Sequence, residues 1–498
     1  MNSDLFNIIF GMKVRQARLE AGLSLSEFAA RCELSPSYVT EIERGRKYPK
    51  ADKIFKMAGV LGKDYDELVS IKLAPALSHL ETLLSSPLLR QFPFNEFGVE
   101  IGDLVQLFTR APVQASALVH AALEIGRQYD MKEEHFLWAA LRSYQELHDN
   151  YFPELEEAAL SFRTDFHLEE TFPIELARLK EILQSDFRYH IDETRLSRDP
   201  LLSAYRSVSI SGPRPTLLIN TVLQPRQIKF LLLRELGYLY LNLKERSATS
   251  APDQVDSFQQ VLNDFKAAYF AGAVLMPRTQ ILGDLQQFFH LHTWSPYRLL
   301  NMLDQYEVTP EMLLYRFSEL IPQFFGIKIH FLRFHSYMRG FQLVKQLNMN
   351  QLILPGRFGM NEHYCRRWLA VRLLQELQRE EAAAQPDTHP LVGVQISEFL
   401  DSQDRFLSFG FARPLSLQPG VASSVIVGFR VQDGLEQVIH FAHDPAVPTV
   451  TVHQTCERCP LTREQCTVRA AEPTIWQMEQ QKAARQAALH RLKAELQP

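Results

Sequence analysis

Apolar residues recur at helical spacing through most of the first 160 positions. The pattern predicts five short helices over 1–70 and more helix over 75–160, clearest at Ala115–Leu123 and Phe136–Leu147. From about Phe172 to Leu320 the pattern is mixed. It gives a strand at Thr216–Ile219, a strong helix over Pro225–Leu243, a polar break at Glu245–Ser257 and another helix ending near Met276-Pro277. Beyond Ile321 strands dominate, with candidates at Ile327–Arg333, Leu352–Leu354, Leu407–Ala412, Ser424–Val431 and Val438–Ala442. A helix at Glu362–Arg379 interrupts them, and the Gln-, Ala- and Lys-rich tail from Thr474 reads as helical. There is no internal repeat.

The chain has 498 residues, too many for one ordinary domain, and a length prior of roughly 150 residues per domain suggests three or four units. The expected architecture is multidomain, mainly α with an α+β C-terminal half. Hydrophobic residues at 46% and charged residues at 22% exclude a mostly disordered chain. A net charge of −5 excludes a protein coated in positive charge, although one basic face remains compatible with it. No apolar run approaches about 18 residues, and Met1-Asn-Ser-Asp-Leu lacks a signal-peptide pattern, so the expectation is a cytoplasmic protein without a membrane partner.

Ser24 and Glu27 form a capping box that opens a helix, and Ser35 caps a second helix with Pro36 in its first turn. That helix ends at Gly45, so two short helices joined by a tight turn make a helix-turn-helix. Residues 23–45, Leu-Ser-Leu-Ser-Glu-Phe-Ala-Ala-Arg-Cys-Glu-Leu-Ser-Pro-Ser-Tyr-Val-Thr-Glu-Ile-Glu-Arg-Gly, resemble the XRE/Cro-C1 repressor family. The resemblance implies that Ala29, Val39 and Ile42 are core and that Arg18 and Glu43 form a partly buried ion pair. It also implies that Ser37, Tyr38, Thr40 and Glu41 face the major groove; with Ser35, Arg44, Arg46 and Lys47 they make up the candidate DNA-binding residues. Leu25 stands where the family often has a phosphate-touching Gln. Independently, Arg44, Arg46, Lys47, Lys50, Lys53 and Lys56 face a lone Asp52, a local patch for positioning phosphates. A homodimer on a two-fold double-stranded operator is the expected state.

The helix Ile228–Leu243 followed by Asp264-Phe-Lys-Ala-Ala-Tyr-Phe-Ala-Gly-Ala-Val-Leu-Met-Pro277 resembles the ImmA/IrrE-type metallopeptidases. Their His-Glu-x-x-His helix puts two imidazoles on one zinc, with Glu as base. Here Arg234 and Tyr238 occupy the His positions, Glu235 is kept, and the register puts Lys266 at the acidic third-ligand position. A protonated guanidinium has no lone pair for zinc, so neither metal nor catalysis is expected. Glu235 either pairs with Arg234 or Lys266 or faces solvent.

Cys456, Cys459 and Cys466 lie within eleven residues, with His453 just ahead. The spacing suits one soft metal ion, zinc first and an iron–sulfur cluster or redox-responsive thiols second, against unligated cysteines. His453 is the nearest fourth ligand, with His443 and His440 as rivals, whereas Cys32 and Cys365 read as structural. Cys456–Pro473, with Gly410-Phe-Ala-Arg-Pro-Leu and Ser-Ser-Val-Ile-Val-Gly before it, resembles the C-terminal domain of short-chain fatty-acyl transcriptional regulators. That resemblance implies a metabolic effector such as an acyl-CoA.

The combined reading is a helix-turn-helix domain at 1–72, a helical dimerisation region at 73–170, a zincin-like pseudo-peptidase domain at 171–320, a strand-rich sensor-like domain at 321–475 and a helical tail at 476–498. It describes a sequence-specific transcriptional regulator, not an enzyme. A phage-immunity or toxin–antitoxin regulator and a metallopeptidase acting on a partner repressor are the alternatives.

Overall fold

A computed structural model describes residues 3–70, 94–98, 132–169, 172–250, 255–337, 340–355, 362–382, 389–432 and 434–496. The helix expected at Ala115–Leu123 lies outside these residues. The chain divides into two compact units, 1–144 with 256–259, and 145–255 with 260–498.

In the first unit the five expected helices are α1 (Ser3–Glu20), α2 (Leu25–Arg31), α3 (Pro36–Glu43), α4 (Ala51–Leu61) and α5 (Tyr65–Val69). Phe10, Val14, Phe28, Ala29, Val39, Ile42, Ile54 and Met57 make their common core, each large side chain contributing about 1.5–3 kcal/mol. Cys32 is buried in it as a small apolar residue. α1 meets α3 at Gly11, where a Cβ would stand 2.2 Å from the Ile42 carbonyl oxygen. Only glycine permits that approach.

Helix α6 (Glu133–Leu147) contains the expected Phe136–Leu147 segment and runs into the second unit, which continues with α7 (Pro153–Asp165) and α8 (Leu176–Ser185). A small sheet of β1 (His190–Asp192), β2 (Ser207–Ile210) and β3 (Thr216–Ile219) has order β1-β3-β2. Helices α9 (Pro225–Tyr240), α10 (Phe258–Leu275), α11 (Arg278–Phe289), α12 (Pro296–Gln305) and α13 (Pro310–Phe325) follow. Arg316, fully buried on α13, bonds Glu156 of α7 at 2.6 Å and Glu319 at 2.9 Å. Tyr269 of α10 donates to the same Glu156, so one buried network joins three helices.

The second sheet is formed by β4 (Ile329–Tyr337), β5 (Gly340–Asn348), β6 (Leu391–Phe399), β7 (Arg405–Pro414), β8 (Ala422–Arg430) and β9 (Thr449–Val452). Its order is β5-β4-β8-β7-β6-β9, antiparallel except for β6 with β9. Helix α14 (Leu369–Ala382) covers one face, packing with Leu332, Phe334, Ala412 and Ile426. On the other, Phe288 and Phe289 of α11 meet Phe409 and Phe429, and Tyr315 of α13 meets Phe331. Burial on both faces accounts for the nearly continuous apolar runs of β7 and β8. Helix α15 (Thr474–Leu496) is the tail.

Several expectations are corrected. Leu352–Leu354 is not a strand, because the Asn348 side chain bonds both the N–H and the carbonyl of Leu352 and closes a turn. Val438–Ala442 forms short helical turns that bury Ile439 and Phe441. The helix begins at Leu369 instead of Glu362, since Tyr364 is drawn into a bridge with Thr455. Strands β1, β2, β5, β6 and β9 escaped the pattern reading.

Candidate functional site

The Ser24 hydroxyl accepts the Glu27 N–H while the Glu27 carboxylate accepts the Ser24 N–H, fixing the start of α2. Ser35 Oγ accepts from Tyr38 N at 3.2 Å, so this hydroxyl serves as the cap of α3. Behind the helix, Arg18 grips both oxygens of Glu43 at 2.6 and 2.9 Å and donates to the Leu23 carbonyl at 2.8 Å. This buried fork ties α1 and the α2–α3 approach to α3.

On the outward side Ser37 is exposed and Thr40 and Glu41 are partly so, followed by exposed Arg44, Arg46 and Lys47 beyond the turn at Gly45. Thr40 Oγ1 donates to the Pro36 carbonyl, and Arg46 lies 3.4 Å from Glu41. Tyr38 rests partly on the core beneath the Lys53 ammonium, 4.4 Å from its ring centre. Lys56, counted by sequence into the basic patch, pairs instead with Glu33, which narrows the patch to Arg44–Lys53.

In the second unit α9 presents Arg234, Glu235 and Tyr238, all buried. A Cβ on Gly237 would meet Phe270 at 2.9 Å, so its absence lets α10 close on α9. Neither of the sequence-derived partners of Glu235 holds. Its carboxylate is clamped by Arg246, with Nη1 2.8 Å from Oε1, and accepts from Ser209 Oγ at 3.0 Å. Tyr189 also bonds it, and burial followed by the Glu235 charge pushes that phenol up to about 12.

Arg234 faces Asp264 at 3.1 Å. Asp264, two residues before Lys266, is therefore the acidic side chain that α10 brings to this place, and Lys266 makes no ion pair among the described residues. Burial raises the Asp264 carboxyl to about 6 in spite of Arg234. Arg246 also lies over the Tyr238 ring at 4.1 Å. Zinc does not fit this donor set, because a guanidinium fills one ligand position and the would-be base is held by another.

At the third site, the backbone explains what the sequence separated. Cys365 N donates to the Gln454 carbonyl and Cys456 N to the His363 carbonyl, which carries Cys365 to the cysteine knuckle. The Cys365 thiol, pushed up to about 11 by burial, feels both Cys456 and Cys459, and Cys459 feels Cys466. Backbone N–H groups point at the sulfurs: His453 and Arg367 at Cys365, Leu461 at Cys459, and Ala470 at Cys456 Sγ at 3.3 Å. His453 contributes one of these N–H groups through its backbone, and its buried imidazole Nδ1 has no hydrogen-bond partner among the described residues. His440 stacks between His290 and His292, and His443 is exposed. Among the described residues no three His, Cys, Asp or Glu side chains converge closely enough to hold a metal ion.

Two family matches cover parts of the chain: a helix-turn-helix over residues 14–68 and an IrrE N-terminal-like domain over residues 192–318. A propionyl-CoA carboxylase regulator of Cereibacter sphaeroides is 21% identical over 342 residues, 65% of this chain and 68% of that protein. Control protein C.BamHI of Bacillus amyloliquefaciens is 36% identical over 63 residues, 12% of this chain and 78% of that protein. An HTH-type transcriptional regulator, y4dJ, of Sinorhizobium fredii is 34% identical over 62 residues, 12% of this chain and 80% of its own length. A solved Mycobacterium tuberculosis transcriptional regulator aligns with a TM-score of 0.44 at 18% identity, covering 66% of this chain and 92% of that one.

Proposed function

The chain belongs to the XRE-type helix-turn-helix transcriptional regulators and carries an IrrE-like domain; from that premise we propose that it reads a two-fold operator as a homodimer and that its second unit is a sensor without peptidase activity. DNA binding itself follows from the family. The observation that carries the finer reading is the rigid seat of α3, whose Arg18–Glu43 fork and Ser35 cap leave Ser37, Thr40, Glu41, Arg44, Arg46 and Lys47 on the open side. Thr40, Ser37 and Glu41 discriminate bases, while Arg44, Arg46 and Lys47 set the register on phosphates.

Glu235 and Arg234 are committed to Arg246 and Asp264, which supports a domain kept for its shape and charge. The spacing of Cys456, Cys459 and Cys466, with His453 ahead of them, Cys365 brought near and N–H donors on three of the four sulfurs, supports a soft metal centre, zinc first and iron–sulfur second, which needs these side chains to turn inward to close on an ion. The effector class, an acyl-CoA or a relative of it, rests on family resemblance. A ligand of this kind acts only by binding one dimer geometry better than another. No helix among the described residues is long and apolar enough to cross a membrane.

The test is capture of genomic fragments on the purified protein beside a Thr40→Ala/Arg44→Ala variant. Enrichment of a shared two-fold site that the variant loses is expected. Equal recovery by both proteins would overturn the assignment of the reading face.

A further inference from the structure

From Gln477 to Lys493 every residue of α15 is exposed, so this helix of 23 residues packs against nothing among the described residues once it has left its first turn. That first turn is rooted. The N–H groups of Ile475 and Trp476 both donate to the Glu457 carbonyl at 3.1 Å, beside the cysteine segment. Beyond the root the helix runs on for about 30 Å.

Nothing within the helix makes up for the missing packing. Glu479, Lys482, Arg485, Arg491, Lys493 and Glu495 form no ion pair among the described residues, and Glu479 senses Arg458 at the root without pairing with it. Helices in proteins draw most of their stability from burying one face, and a helix exposed all round does not stand alone. The apolar side chains needed for a partner are present: Met478, Leu489 and Leu492 are 68%, 51% and 51% exposed. Met478, Lys482, Arg485, Leu489 and Leu492 succeed one another at alternating steps of four and three, the spacing of a coiled-coil seam.

The order of charges along that seam selects the partner and its direction. A parallel copy would set Lys482 on Lys482 and Arg485 on Arg485. An antiparallel copy, related by a two-fold axis near Ala487, sets Lys482 against Leu492 and Arg485 against Leu489. The long stems then cover the leucines and carry their charges out to water. The same register puts Glu479 beside Lys493 of the second copy, twice in the pair, and sets Ala488 beside Ala488, where small side chains let the helices close. We infer that α15 is a dimerisation helix that pairs antiparallel with α15 of a second copy of this chain. The inference rests on the reading of the protein as a dimeric regulator and gives that dimer a contact outside the DNA-binding head.

The experiment is sedimentation equilibrium of the full chain over a range of concentrations, with near-ultraviolet dichroism as the folding control. Leu489→Glu/Leu492→Glu should raise the dimer dissociation constant about a hundredfold or more at an unchanged near-ultraviolet spectrum. Glu479→Lys and Lys493→Glu should each raise it about tenfold, and the combined Glu479→Lys/Lys493→Glu chain should return to within about threefold of the parent. The two positions lie about 21 Å apart along one helix, so only a second helix running the other way lets one substitution repair the other. A parent that is monomeric throughout, a constant unmoved by the leucine variant, or a charge swap no better than its single variants would each overturn the inference. Operator capture by the same preparations is scored separately. A leucine variant that stays dimeric and keeps its operator removes this interface and leaves the regulator reading standing.

Discussion

The head and the peptidase-like region both rely on buried arginine–carboxylate pairs, and the two uses are opposite. Arg18 and Glu43 sit behind α3 and hold a face open for a partner. Arg234 with Asp264 and Glu235 with Arg246 occupy the place where the related peptidase chemistry would happen, and so close it. The same interaction is a support in one region and a plug in the other. What decides the difference is whether the charges stand behind the working surface or within it.

The most drastic way to break this contrast is to take the plug out. Arg234→His/Tyr238→His restores two imidazoles four residues apart, with Asp264 as the carboxylate facing them. We expect one zinc ion beyond the parent protein's content, bound more tightly than about 1 µM, or roughly 8 kcal/mol, by metal analysis and competition with a chelator. Adding Asp264→Ala should abolish that gain. If Lys266→Asp is needed before zinc binds, Asp264 does not hold the third position.

Next in size is the support. Glu43→Ala leaves Arg18 buried beside no counter-charge and should cost about 3–5 kcal/mol of the first unit's stability, measured by denaturant unfolding. Arg18→Met/Glu43→Leu should recover most of it. A loss below 1 kcal/mol for the single variant would mean that water already solvates the pair.

Arg234→Ala should cost roughly 1–3 kcal/mol, less than the head variant because Asp264 can take up a proton. The sign follows from the carboxyl at about 6, above its ordinary value of 3.8. A group raised in the fold contributes its stability at low pH and loses it as pH rises through the folded value. Removing Arg234 raises it further, so the deficit against the parent should widen from pH 5 to pH 8. A constant deficit would put the cause in packing.

The smallest effects lie on the open face of the head. Thr40→Ala should relax preference at one base position by about 1 kcal/mol, seen as a flattened binding-site profile. Arg46→Ala should weaken binding to all sequences alike and reduce the salt slope by about 1. Identical behaviour of the two would misplace the reading helix.

These regions also differed in how legible they were. The head is written in local signals, Ser24 with Glu27, Ser35-Pro36 and Gly45, each acting within one turn of helix. The loss of zinc ligands at Arg234 and Tyr238 was equally plain. The plug was not, because Arg246 arrives from the loop after α9, Ser209 from β2 and Tyr189 from before β1. Asp264 was displaced in the reading by a two-residue error of register. Cys365 stands far along the chain from Cys456, and only the pairing of 363–365 with 454–456 brings it near. Strand β5 was missed because a register shift against Arg333 and Phe334 breaks its period of two, so that Leu343 pairs with Phe334 and Leu347 with Phe331 on opposite faces and no alternating run forms.

The bare contact at Gly11 has a consequence for genetics. With a carbonyl oxygen 2.2 Å from where a methyl would begin, no substitution there can be absorbed by a neighbouring side chain, and α1 must lift from α3. A screen for lost operator control should therefore return Gly11 alongside Thr40 and Arg44, although it lies behind α3 and not on its open face. Its suppressors should map to the carboxyl-terminal turn of α3.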